Sequence, residues 1–312
     1  MTPTPELQRL RDALRTASGP DAPDARLDEL AVAAAAALVG GAAILSYYGG
    51  APRDLDVELK APDDPVTAAD HASNRAILDL LARERPDDPV LSEESEPPSE
   101  SARTGRLWVV DPLDGTREFI DGLGEFAAMV GLAEGGRSIL GAVYRPDPGI
   151  LDIGFSDGGA WRARVRPEAA VDPEERGLPR DLRLESLRVP PRRGGPVRLV
   201  HSRSHRPAEL DRLEAALGAL ESVPSGSVGV KCGLIAGGDA DLYVHPVPYL
   251  KEWDTCAPEA VLRGAGGRVT DCLGERLTYG KSPPVQPEGI LAAVPEVWSR
   301  VLPTVRHIAP GA

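Results

Sequence analysis

The chain has 312 residues, enough for two domains or one large one, and 42% of them are hydrophobic, enough for a substantial core. Its net charge is −13. Such a chain lacks the cationic field that releases counterions from nucleic-acid polymers, so it is a poor candidate for coating them. A small phosphate ester still fits if metal ions reverse the local charge. The three cysteines, Cys232, Cys256 and Cys272, form no CxxC pair, and their odd number argues against a disulfide framework. A reducing cytoplasm is the expected compartment.

In chain order, residues 1–25 read as a short helix and a Pro/Asp loop without the apolar core of a signal peptide. Residues 26–48 read as a long helix stopped at Gly49-Gly50. Its apolar run, Leu30 to Leu45, is Ala-rich and shorter than a membrane span needs, so a buried helix is expected. Asp54–Lys60 is a short strand. Thr67-Ala-Ala-Asp70 opens a helix from His71 to Arg83, with Ala72, Ala76, Ile77 and Leu80 on one face. Val90-Leu91 is a brief strand entering an acidic loop, Ser92–Arg103. Leu107–Val110 is an apolar strand with Asp111 at its end.

Residues 126–163 alternate strands with Gly-Gly, Asp-Pro-Gly and Asp-Gly-Gly turns, an antiparallel meander. Residues 166–196 read as an irregular Arg/Pro connection. Beyond it come a strand at Val197–His201, a helix at Pro207–Leu220, a loop, and a helix near 229–237. A strand at Asp241–His245, a helix holding Pro258–Gly264 and strands near 268 and 289 follow, which is α/β alternation. The expected division is an N-terminal α+β domain over 1–195 and a C-terminal α/β domain over 196–312.

The strongest local signal is Asp111-Pro-Leu-Asp114-Gly-Thr116. If the chain turns there, both carboxylates and the Leu113 carbonyl converge on hard cations, while the Gly115 and Thr116 N–H groups face a phosphate. Taken alone the stretch reads equally as an Asx turn capping a helix. Glu93-Glu94-Ser95 alone reads as a solvated acidic loop, Asp254 as a helix cap, and Pro65–Asp70 as a helix entry.

Together, Glu93-Glu94-Ser95, the DPLDGT run at 111–116 and WDTCAP at 253–258 resemble the metal-dependent, lithium-sensitive phosphatase superfamily. It includes inositol monophosphatase, fructose-1,6-bisphosphatase and the 3′(2′),5′-bisphosphate nucleotidases. The run from Asp111 to Phe119, Gly124-Glu-Phe126, Gly141–Tyr144, Ser202–His205 and Lys231 are similar to the CysQ-type nucleotidase branch. Val228-Gly229 departs from it where relatives carry small polar residues, and His245 stands near a position where some carry Arg.

That resemblance implies a layered αβαβα sandwich with the site between the domains. It implies removal of the 3′-phosphate of adenosine 3′,5′-bisphosphate by a metal-activated water. Glu93, Asp111 and the Leu113 carbonyl would hold one magnesium; Asp111, Asp114 and Asp254 a second; Glu93 and Asp70 a weaker third. Manganese would serve as well, since the ligands are all oxygen. Asp70 and Thr116, with Glu93, would deprotonate the water, and the Gly115 and Thr116 N–H groups would hold phosphate. Lys231 would pair with the 5′-phosphate, His205 would stack on adenine, and Lys60 would assist. The alternatives are a broader inositol or fructose phosphatase, or a sensor without catalysis. No nucleic-acid polymer or membrane partner is expected.

Overall fold

The computed structural model describes residues 5–19, 23–49, 55–61, 64–165, 182–192, 194–203, 211, 213, 215, 218, 220–248 and 250–308. Two helices, α1 (Pro5–Ser18) and α2 (Asp24–Leu45), open the chain. A hairpin, β1 (Glu58–Ala61) with β2 (Asp64–Val66), leads into α3 (Ala68–Glu84). Seven strands then build one sheet in sequential order: β3 (Val90–Ser92), β4 (Arg106–Asp114), β5 (Ala127–Glu134), β6 (Arg137–Arg145), β7 (Ile150–Phe155), β8 (Gly159–Arg164) and β9 (Glu185–Leu187). Only β3 and β4 run parallel; every later pair is antiparallel.

The second sheet has the order β11-β10-β12-β14-β13, from β10 (Val197–Ser202), β11 (Leu220–Ser225), β12 (Leu242–His245), β13 (Arg268–Thr270) and β14 (Ile290–Ala293). Its helices are α5 (Val228–Gly237), α6 (Glu252–Gly264) and α7 (Pro295–Arg306); the five-residue α4 (Thr116–Ile120) follows β4. Layers stack as α2/α3, the seven-stranded sheet, α5/α6, the five-stranded sheet, and α7. This is the αβαβα sandwich expected from the motifs.

Two apolar interiors hold the layers. Leu30, Ala34, Leu38 and Ile77 meet Trp108, Val130 and Tyr144 on one face of the large sheet. Between the sheets, Met129, Val143, Cys256, Ala257 and Val261 meet Leu242 and Leu291. Gly141 is what lets α6 lie so near the large sheet: a Cβ there would stand 2.5 Å from the Ala257 carbonyl oxygen. Helix α2 is long and apolar enough to cross a membrane, but 78% of its most apolar window is buried by protein, as a core helix should be.

Several boundaries differ from the sequence reading. The long helix ends at Leu45, before the Gly49-Gly50 stop, because the Ser46 and Tyr47 N–H groups close onto the Ala43 and Ile44 carbonyls in a tighter turn. The strand expected at Asp54–Lys60 is displaced to Glu58–Ala61 and paired with β2. A 3₁₀ turn, Glu100–Thr104, interrupts the acidic loop. The irregular connection over 166–196 contains β9, whose three residues have too little pattern to read without β8 beside them. The helix expected over Pro207–Leu220 falls largely outside the described residues, and Leu220 itself opens β11 in place of the expected loop. All three cysteines are buried and free.

Candidate active site

Strand β4 builds the centre of the site. Asp111 pairs with Met129 and Asp114 with Ala127, so Pro112 and Leu113 together face only Ala128. That extra residue is a bulge, and bulges re-aim side chains. Proline suits it because it has no N–H to give the ladder. The Leu113 N–H donates to Asp111 Oδ1 at 3.1 Å, and Ser73 Oγ on α3 donates to the Pro112 carbonyl at 2.7 Å. Gly115 then turns with φ +92°, where a Cβ would lie 2.8 Å from the Glu125 carbonyl oxygen. No other residue fits that turn. Thr116 is the first residue of α4, so its N–H has no helical partner.

Asp70 reaches this bend from α3. It is the third residue of the helix and closes a capping box with Thr67. Its Oδ2 accepts from the Thr67 N–H (2.8 Å) and hydroxyl (2.7 Å). Its Oδ1 accepts from Thr116 Oγ1 at 3.1 Å. The Thr116 hydroxyl also lies 3.1 Å from the Leu113 carbonyl. One Asp70 oxygen is thereby committed to its own helix cap and the other to Thr116.

Glu93 arrives at the end of β3, with its N–H on the Val110 carbonyl at 3.2 Å. Lys60 of β1 bonds Glu93 Oε1 at 3.0 Å and pairs with Glu94 as well. The second half supplies the rest. Asp254 is the third residue of α6, and its Oδ2 accepts the Lys251 N–H at 2.6 Å. Pro258 offers no N–H to the Asp254 carbonyl four residues back. Asp114 Oδ2 accepts from Ser227 Oγ (2.6 Å) and the Gly229 N–H (2.9 Å), so the β4 end is stitched to the start of α5.

The carboxylates feel one another. Burial drives the Asp111 carboxyl well above its usual range, and Glu93, Asp114, Asp254 and Asp70 push it further. Asp254 is raised by burial and then by Asp114 and Glu93. Glu93 is pushed up to about 7 by burial, with Lys60 opposing. Asp114 is raised by burial against Lys231. Three chain segments thus bring Glu93, Asp111, Asp114 and Asp254 into one field.

This donor set fits hard divalent cations. On Asp111, Asp114, Asp254 and Glu93, one oxygen is anchored by the bonds above, and the other has no hydrogen bond among the described residues. Anchoring one oxygen orients its twin toward an ion. Among the described residues, no three His, Cys, Asp or Glu side chains are already drawn in tightly enough to hold an ion.

Lys231 is buried. It is only 3% exposed, its ammonium standing 5.3 Å from the Tyr243 ring centroid, and burial lowers its pKa against Asp114 and Glu118. Its charged neighbours are Asp114, Glu118 and Asp254. His205 lies outside the described residues. Ser227 was not foreseen. Its signal was present as a serine just before an apolar helical run, the pattern of an N-cap.

A profile of the inositol monophosphatase family matches residues 26–300. The chain belongs to that family. A 3′(2′),5′-bisphosphate nucleotidase CysQ of Escherichia coli O157:H7 is 40% identical over 243 residues, 77% of this chain and 89% of the relative. A 3′-phosphoadenosine 5′-phosphate phosphatase of Mycobacterium leprae is 32% identical, over 74% of this chain and 82% of the relative. The crystal structure of CysQ from Bacteroides thetaiotaomicron superposes with a TM-score of 0.70 at 31% identity, covering 85% of this chain and 97% of that one. Inositol monophosphatase family members depend on metal, typically magnesium.

Proposed function

We propose that the chain is a magnesium-dependent phosphatase that hydrolyses the 3′-phosphate of adenosine 3′,5′-bisphosphate, giving AMP and phosphate. The observation that carries the reading is the convergence of Glu93, Asp111, Asp114 and Asp254 beside the Asp70–Thr116 pair. The nucleotide substrate rests on the likeness to bisphosphate nucleotidases.

Glu93, Asp111 and the Leu113 carbonyl would hold one cation, and Asp111, Asp114 and Asp254 another, with a weaker third beside Glu93. Bound there, the cations supply charge neutralisation, a lowered pKa for water and stabilisation of the leaving alkoxide. Thr116 directs its proton at Asp70 Oδ1, which leaves its oxygen lone pairs to accept a proton from an attacking water. Burial raises the Asp70 pKa and so its strength as a base. The Gly115 and Thr116 N–H groups orient the phosphate oxygens. Lys231 acts through its field, offsetting the Asp114 charge from a buried position.

Thr116→Val should lower kcat by about 10²- to 10³-fold, while Thr116→Ser keeps most of it. A valine variant with wild-type turnover in a phosphate-release assay removes the dyad from the mechanism.

Substrate choice is tested by phosphate release from adenosine 3′,5′-bisphosphate, inositol 1-phosphate and fructose 1,6-bisphosphate. The nucleotide should give the highest kcat/KM, and Lys231→Met should lower it at least about tenfold. Preference for a sugar or inositol phosphate would establish the broader phosphatase. Magnesium-dependent release from none of the three would leave a sensor.

A further inference from the structure

A cavity of about 660 Å³ opens at the opposite end of α6 from Asp254, against Arg263 and Gly264. Nine residues separate Asp254 from Arg263, about 14 Å along the helix axis. The walls come from the β7–β8 turn, the end of α6, β13, the loop through Arg276, and Trp298 of α7. Arg263, Arg268 and Arg276 line it, against one acid, Asp157. That is a positive surplus in a chain whose net charge is −13.

The arginines are incompletely used. Arg263 Nη2 bonds Asp157 Oδ1 at 3.1 Å, but its buried Nε has no hydrogen-bond partner. The Glu259 carboxylate oxygen Oε1 is 4.0 Å away. The Arg268 guanidinium carbon stands over the Trp298 ring, 4.7 Å from its centroid, and the indole N–H is fixed on Thr270 Oγ1 at 3.1 Å. Neither Arg268 nor Arg276 has a carboxylate at ion-pairing distance among the described residues. One cation would complement the C-terminal dipole of α6; three exceed that need.

We propose that this cavity binds a small phosphorylated anion, separately from the carboxylate site. Guanidinium groups present paired N–H donors that match phosphate oxygens, and a dianion balances the surplus charge. Stacking on Trp298 holds the Arg268 fork in place beforehand, which reduces the ordering cost of binding.

The test uses the full chain in EDTA, where the carboxylate cluster offers phosphate no cation. Inorganic phosphate is titrated and tryptophan fluorescence read, with sodium chloride at matched ionic strength as the control and Trp298→Phe to assign the signal. Saturable binding is expected, unchanged in Asp254→Asn and weakened at least about tenfold in Arg268→Gln/Arg276→Gln. Both arginines are exposed, so the double variant should fold, as circular dichroism would show; titration calorimetry reads the same binding without the indole. No saturable binding by either readout, or equal binding in the double variant, overturns the proposal. So does binding lost in Asp254→Asn.

Discussion

Asp111→Asn should cut turnover by about 10⁴-fold, since several kcal/mol of charge stabilisation depend on the ions that Asp111 would bridge. Thermal stability without metal should hold or rise. The wild-type carboxylate is buried at 1% exposure and repelled by Glu93, Asp114, Asp254 and Asp70. A neutral amide removes that repulsion, and its oxygen still accepts the Leu113 N–H. The variant should therefore lose the gain in melting temperature that magnesium gives the wild type. This is the usual opposition between stability and an active site built of like charges. Phosphate release together with melting curves, each with and without magnesium, decides it. A variant with normal turnover, or one that unfolds, would show that Asp111 belongs to the scaffold rather than to the chemistry.

The parts of the site that were legible in the sequence are those packed into short motifs. Asp111, Asp114, Gly115 and Thr116 sit within six residues, so one bulge and one left-handed glycine place them all. Asp254 alone reads as a helix cap and Pro65–Asp70 as a helix entry, and Asp70 and Asp254 are both the third residues of their helices, bonded to N–H groups at 67 and 251. Capping is how these two side chains are aimed, so a helix start and a site residue are read from the same contacts. The edge strand β9 and strand β11 were not legible. Leu220–Ser225 carries glutamate, serine and proline with little alternation, and only its parallel pairing with β10 makes it a strand. Lys231 was not legible for another reason. A lysine in an apolar helix looks like a solvent tether, and the charges that offset its burial, Asp114 and Glu118, come from the other half of the chain.

In EDTA, the melting temperature should fall as pH rises from about 5 to about 8, and magnesium should restore it most at the upper end. Glu93 is raised from a usual 4.5 to about 7 by burial, and Asp111 and Asp254 are raised by burial and by one another. A carboxyl whose pKa is higher in the folded state holds its proton more tightly there than in the unfolded chain. Its contribution is complete below the unfolded value and disappears as pH climbs through the folded one, so for Glu93 the window is 4.5 to about 7. Glu259 is also pushed up to about 7 by burial, against a 2.7 Å bond from the Tyr279 hydroxyl, and adds a loss of the same sign. A cation at the cluster does not contact it, so Glu259→Gln should flatten part of the slope in EDTA and leave the magnesium gain intact. The ions need ionised ligands, so their affinity grows over the same range. At a hundredfold excess over Kd the gain should be about 5 °C. A melting temperature that climbs with pH in EDTA, or a magnesium gain equal at both ends, would mean that the four carboxylates do not titrate as one metal-binding group.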